Sequence, residues 1–286
     1  MCARSRLPLT KSSAPRAAQS APITSRENHW LKTFRAVLHS SRPEDNRIGL
    51  EAIRLVSEAI RSGLELEAIL ASASAEKSLA ALLAELDRPT LVLRTTDKLF
   101  ASVAATETPQ GIAALLRAPQ FAFEALLRGA DPLVVVLAGV QDPGNVGTIL
   151  RSAEALGATG AMALRGTAHP HSPKALRASA GSALRLPVIS ELAAPIALAQ
   201  LRVSGLEIVA ASSAKNPAAR DPGSFNFRQP VALLIGNEGA GLAPEIERSA
   251  DARIRIQLAE PVESLNAAVA ASLILYEAAR QRRGLK

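Results

Sequence analysis

Residues 233–242, LLIGNEGAGL, decide how this chain is read. A strand-length apolar run opens into three glycines, Gly236, Gly239 and Gly241, with one carboxylate, Glu238, between them. Glycines after a buried strand let backbone amides approach a ligand closely. A phosphate cradle would follow them with Lys and Ser or Thr, and a dinucleotide site would space them as G-x-G-x-x-G. Neither pattern is present. Glu238 would repel a pyrophosphate but not a cationic or hydroxyl-rich ligand.

Outward from this stretch, the C-terminal half alternates strand and helix. LVVVLA (133–138) is a continuous β-branched apolar run, as expected for a parallel strand buried on both faces. Further strands are predicted at AMAL (161–164), EIVAA (207–211), VALLI (231–235) and RIRI (253–256). The alternation predicts a parallel α/β sheet with sites at the carboxyl ends of its strands. Two more loops there carry unusual residues. In VQDPGNVGTILR (140–151), Pro143 and Gly144 predict a tight turn and Gly157 a helix stop. Asn145 reads either as a helix cap or as a ligand amide, and Arg151, two turns later, as a surface arginine or a site residue. In RIRIQLAEPVESLNAAVA, Ser264 and Asn266 stand at the start of a long final helix, an arrangement that serves equally as an ordinary cap.

The N-terminal half reads as a separate compact α/β unit over residues 27–117. A first helix begins near Ser25, with Trp30, Leu31, Phe34 and Leu38 at helical spacing. Its other face carries Arg26, Asn28, Lys32 and Arg35, which either touch phosphates or form a solvated face. GLEAIRLVSEAIRSG predicts an amphipathic helix closed by Gly63, LEAILAS a strand, SLAALLAELD a helix and TLVLR a strand. A turn at Pro109–Gly111 leads into a last strand, and residues 118–130 read as a linker.

The 286 residues carry a formal charge of +7, which favours a polyanionic partner such as nucleic acid. Cys2 is the single cysteine, so no internal disulfide and no cysteine-based zinc site can form, and a reducing, cytoplasmic location fits. No window is long and apolar enough for a membrane span. His169 and His171, in HPHSPK, lack a third metal ligand and read as a surface loop, with no metal expected. Residues 1–26 are rich in Arg, Ser, Ala and Pro and contain no acid before Glu27. They read as an organellar transit peptide or as a disordered basic arm, and the prolines at 8, 15 and 22 favour the arm.

Taken together, VQDPGNVGTILRSAEALGA (140–158), LLIGNEGAGL (233–242) and VESLNAAVAASLILYEA (262–278) resemble, in order and spacing, the three motifs of the SpoU (TrmH-type) RNA ribose 2′-O-methyltransferases of the SPOUT superfamily. PKALRASAGSALRLPV (173–188) is similar to the connector between them, and 25–116 more loosely resembles the L30e-type RNA-binding domain that precedes many members. The segment IQLAEPVESLN departs from the family, which more often has a proline after the isoleucine and a glycine before the valine-rich turn.

The resemblance implies an L30e-like unit over 27–117 followed by a catalytic unit over 131–286, whose last strands and helix form a deep trefoil knot in a homodimer. It implies S-adenosylmethionine as cofactor, held by Gly236, Ile256 and Leu265, with Leu234 and Asn237 beside them. Asn145, Arg151, Glu238, Ser264 and Asn266 would line the reaction site. Lys174 and Arg177 join the first helix as expected RNA contacts. The implied substrate is ribosomal RNA; a transfer RNA, or a non-catalytic RNA-binding role, is the alternative. A Rossmann oxidoreductase would need a fingerprint that is absent.

Overall fold

The computed structural model describes residues 17–212 and 218–283. Its first part contains β1 (Ala17–Gln19), α1 (His29–His39), β2 (Arg47–Glu51), α2 (Ile53–Arg61), β3 (Leu66–Ser72), α3 (Glu76–Glu85), β4 (Thr90–Thr95), α4 (Asp97–Ala101) and β5 (Ile112–Arg117). These strands form one sheet in the order β1-β4-β3-β5-β2, parallel on the β1, β4 and β3 side and antiparallel through β5 and β2. The second part contains β6 (Leu133–Leu137), α5 (Pro143–Ala155), β7 (Gly160–Leu164), α6 (Pro173–Ser179), α7 (Ser182–Arg185), β8 (Val188–Leu192), α8 (Ala194–Val203), β9 (Glu207–Ala211), β10 (Val231–Ile235), α9 (Pro244–Arg248), β11 (Ala252–Ile254) and α10 (Ala267–Arg282). All its strands run parallel in the order β11-β9-β10-β6-β7-β8.

The continuous apolar runs are explained by their neighbours. Along β6 and β10, Leu133, Val135, Leu137, Leu233 and Ile235 face α5 and α10, where Ile149, Leu150, Ile274 and Leu275 meet them. Val134, Val136, Ala232 and Leu234 face the other way, onto Ala197, Leu198 and Leu201 of α8. Both faces are therefore core, each buried Val, Leu or Ile contributing about 1.5–3 kcal/mol. The cluster on the α5 side continues into Ile48, Leu50, Leu55 and Leu116 of the first part, so apolar contact joins the two parts. At its far end α10 is pinned: Gln281 accepts from Phe227 N at 3.0 Å, and Arg282 donates to the carbonyls of Phe227 and Gln229, each at 2.8 Å.

Several expectations change. GLE is not the start of a helix but the end of β2; Ala52, at φ 100°, separates the strand from α2, and a backbone break of this kind leaves no gap in the apolar pattern. Edge strand β8, largely half-buried, follows the connector and is not among the predicted strands. Part of the stretch read as a basic arm is in the sheet: β1 pairs with β4, and the Ile23 amide donates to Arg94 O at 2.8 Å, satisfying an otherwise open sheet edge. Residues 1–16 lie outside the described part. Within the linker, Leu126 is fully buried, and Gly160 makes room for it, since a β-carbon there would lie 2.6 Å from Leu126 Cγ.

Candidate active site

The loop after β6 is built around Asp142, which caps α5 by accepting from Gly144 N at 2.9 Å, while Pro143 occupies the first turn. Asn145 is therefore not the cap, and its amide is free for other partners. Gly147 serves helix packing: a β-carbon there would lie 2.7 Å from Ala178 Cβ and 2.9 Å from Ser179 N of α6. Lys174 Nζ sits 2.7 Å from Asp142 Oδ1. That ion pair first, and the Gly144 amide second, hold the Asp142 carboxyl below its ordinary range.

In the loop after β10, Asn237 organises the turn. Its side-chain oxygen accepts from Gly239 N and Ala240 N, both at 2.9 Å, and its amide donates to Gly139 O at 3.0 Å. Those amides are occupied by Asn237 and do not face a ligand, contrary to expectation. Glycine is needed at 236, where a β-carbon would fall 2.5 Å from Leu242 N, and at 241, whose φ is +70°; at 239 there is room for a side chain. Glu238 reaches back to the first loop. It accepts from Asn145 Nδ2 at 2.9 Å, Asp142 N at 3.2 Å and Gln141 N at 3.3 Å. Burial pushes its carboxyl up, but the bonds from Asn145 and from the backbone amides of 238, 142 and 141 outweigh this and hold it below its ordinary range.

The third loop closes the constellation. Asn266 caps α10, accepting from Ala268 N at 2.8 Å, and donates through Nδ2 to Asn145 Oδ1 at 3.0 Å. A chain of side-chain bonds, Asn266 to Asn145 to Glu238, thus ties the three loops together. Beside it opens a cleft of about 870 Å³, counting solvent at its mouth. Its apolar wall is Ile235, Ile254, Ile256, Leu265, Ala270 and Ile274, and its rim is the backbone of 236–241 with Glu238, Glu263 and Ser264. Among the described residues, the lining includes two carboxylates and no lysine, arginine or histidine.

Of the predicted residues, Gly236, Asn237, Glu238, Ile256, Ser264 and Leu265 line the cleft, and Asn145 and Asn266 are bonded at its edge. Leu234 does not line it: strand alternation turns it onto α8 and buries it fully, while Ile235 faces the cleft. Arg151 is exposed on α5, outside the lining, and makes no hydrogen bond or ion pair among the described residues. Asn28 caps α1 by accepting from Trp30 N, Lys32 pairs with Glu27, and Arg35 donates to Ser102 O at 3.1 Å. Arg26 and Arg177 are exposed. The two histidines are not a surface loop. His171 is buried with its ring against Ala183 O at 3.1 Å, and His169 lies beside it, its ring tilted by 53°, and contacts Ser190. Burial lowers both to about 4, so they are neutral near pH 7. The sequence reading also missed Asp142, although Asp-Pro before an apolar helix is a start signal, and the apolar wall, which has no local signature.

Residues 132–276 match the SpoU rRNA methylase family. The chain belongs to that family. Residues 35–114 of this SpoU chain also match the MRM3-like substrate binding domain. The 23S rRNA (guanosine(2553)-2′-O)-methyltransferase RlmP of Bacillus subtilis is 31% identical over 89% of the chain and 97% of its own length. The 23S rRNA (uridine(2479)-2′-O)-methyltransferase of Streptomyces viridochromogenes is 32% identical over 96% and 97%. Among solved structures, the SpoU methyltransferase AviRb from the same organism, in complex with AdoMet, superposes with a TM-score of 0.82 at 29% identity, covering 91% of this chain and all of that one. An AdoMet-bound rRNA methyltransferase from Sinorhizobium meliloti gives a TM-score of 0.78 at 29% identity, covering 95% and 99%.

Proposed function

We propose that this SpoU protein uses S-adenosylmethionine to methylate a ribose 2′-hydroxyl in ribosomal RNA. The observation that carries the proposal is the junction of the three motif loops, through Asn266, Asn145 and Glu238, beside a cleft whose described lining is carboxylates and apolar groups with no cationic side chain. That lining suits a ligand combining an apolar nucleoside with a positive centre, and is wrong for a polyphosphate. The bound cofactor would supply an electrophilic methyl group. Gly236, Ile256 and Leu265 would hold it, with Asn237 shaping the loop and not contributing free amides.

The chain's own residues have little covalent chemistry to perform. Aligning the two reactants in a dry site lowers the barrier by roughly 7–11 kcal/mol. Asn145, fixed from both sides, and Ser264 and Asn266 at the rim are placed to orient the ribose. Arg151, whose guanidinium offers five donors and no acceptor, serves as an electrostatic clamp on the phosphate beside the target ribose and not as a base. Arg177 and Arg26, both exposed, extend positive charge for the RNA backbone, with Lys174 held by Asp142, and the N-terminal unit acts as the substrate-binding part. Lys32 and Arg35, occupied by Glu27 and Ser102, contribute less directly.

The proposal includes the trefoil knot, a cytoplasmic location and a homodimer. The dimer is supported by Val269, Leu273 and Tyr276, an exposed apolar stripe on α10 spaced by four and three residues. Sedimentation should then give about twice the 29.9 kDa chain mass. Labelled methyl groups should pass from S-adenosylmethionine to the ribose of purified ribosomal RNA; label on bases, or none, would overturn the proposal.

A further inference from the structure

We propose that Arg185 is a positioning residue: bridging Glu58 of α2 and Glu154 of α5, it fixes the angle at which the N-terminal unit presents RNA to the cleft. The RNA part rests on the methyltransferase proposal, whereas the inter-unit part stands on geometry alone. Arg185 Nη1 donates to Glu58 Oε2 at 2.8 Å, and Nε and Nη2 donate to the two oxygens of Glu154, each at 2.8 Å. The three side chains are about 70% covered, with exposures of 32%, 29% and 29%, so solvent competes weakly.

The bridge has its own space. Gly181, at φ +90°, adjoins it, and a β-carbon there would lie 2.9 Å from Arg185 Nη1 and 3.2 Å from Glu58 Cβ. Any L side chain at 181 would be strained and would push the bridge apart. Burial raises the Glu154 carboxyl, but the bonds from Arg185 and Ser182 outweigh it, leaving the group ionised at neutral pH.

On α5, Gly147, Arg151 and Glu154 recur at spacings of four and three and share one helix face. Gly147 is packed on α6, and Glu154 is held by Arg185 of α7. Arg151 lies between those two fixed points. Whatever sets Glu58 relative to Glu154 therefore sets the N-terminal unit relative to the turn that carries Arg151. The apolar contact between the units is non-directional and permits sliding or rotation. A planar guanidinium with two parallel bonds on one carboxylate and a third on another permits neither. A second ion pair between the units, Arg42 with Glu191 at 3.2 Å, is 62% and 41% exposed and constrains little.

The test uses the full chain with Glu58→Gln, which removes the charge of the inter-unit arm and of the longer, exposed pair with Arg61 at 3.7 Å while leaving the bonds from Arg185 to Glu154 intact, and Glu58→Asp as the conservative variant. Nitroxide labels on cysteines introduced at the exposed Lys77 and Ala199, in a Cys2→Ser background, report the angle as a distance distribution. Glu58→Gln should broaden or shift that distribution, raise KM for a ribosomal RNA fragment about ten-fold, change kcat less than two-fold and leave S-adenosylmethionine affinity unchanged. Glu58→Asp should restore part of the KM. An unchanged distance distribution would overturn the proposal. So would an unchanged KM in an active enzyme, or a loss of cofactor affinity in parallel with KM, which would mark a merely structural role. If the wild type methylates no RNA, the function proposal fails, and the distance distribution alone decides whether the bridge sets the angle.

Discussion

Replacing Glu238 by glutamine and by alanine separates two roles for the carboxylate: organising the loops, or placing negative charge beside a cationic ligand. In the structure its Oε1 accepts from Asp142 N and Asn145 Nδ2, and its Oε2 from Gln141 N at 3.3 Å. Glutamine oriented with its oxygen at the Oε1 position keeps two of the three bonds. It loses the longest, to an exposed residue, together with the charge assistance. A typical net value of about 0.5–1.5 kcal/mol per bond puts the cost near 1 kcal/mol, or roughly five-fold. Alanine loses all three bonds, about 2–3 kcal/mol after allowing for water at the rim, and frees Asn145. Loop organisation therefore predicts that Glu238→Gln retains cofactor binding within about five-fold, while Glu238→Ala loses on the order of a hundred-fold in methyl transfer. Calorimetric titration with S-adenosylmethionine and a labelled-methyl assay measure the two. If glutamine costs as much cofactor affinity as alanine, charge and not loop order is what Glu238 supplies, and the reasoning fails.

Arg151→Ala should lower turnover by at least about a hundred-fold with cofactor affinity nearly unchanged, because Arg151 lies outside the cleft lining; equal loss of both would remove its role as a phosphate clamp. Gly236→Ala forces a β-carbon to within 2.5 Å of Leu242 N, and should abolish cofactor binding while the melting temperature falls only by the cost of one displaced loop. His169 and His171, lowered from 6.5 to about 4 in the folded chain, take up protons only on unfolding between those values. The unfolded state then binds more protons, so stability should fall as pH drops from 6.5 toward 4, with a slope approaching two protons. Melting curves across that range check this, and His171→Gln should flatten the slope; a flat wild-type profile would refute it.

Much of this molecule was legible in its sequence where local signals and tertiary roles coincide. The buried runs at β6, β9 and β10 are apolar, carry Val or Ile and are bounded by turns, and the three motif loops stand out because glycine, asparagine and carboxylate recur in them. What escaped reading has a backbone or long-range cause. Ala52 ends β2 by a positive φ that no residue pattern announces. Leu234 and Ile235 are equally apolar, and only the direction of the strand's pleat decides which one meets the cleft. His169 and His171 look polar and exposed in sequence but are covered by β8 and α7, elements too short to predict. The roles of Asn145 and Asn266 turned on Asp142, whose cap on α5 freed Asn145 to join the other two loops.

The most direct test of the central claim is site-resolved mapping of ribose methylation on total RNA from cells with and without this protein. Loss of a single 2′-O-methyl mark in large-subunit ribosomal RNA, restored by the wild-type chain and not by Arg151→Ala, is the predicted result. An unchanged ribosomal RNA map, or a lost mark confined to transfer RNA, would contradict it.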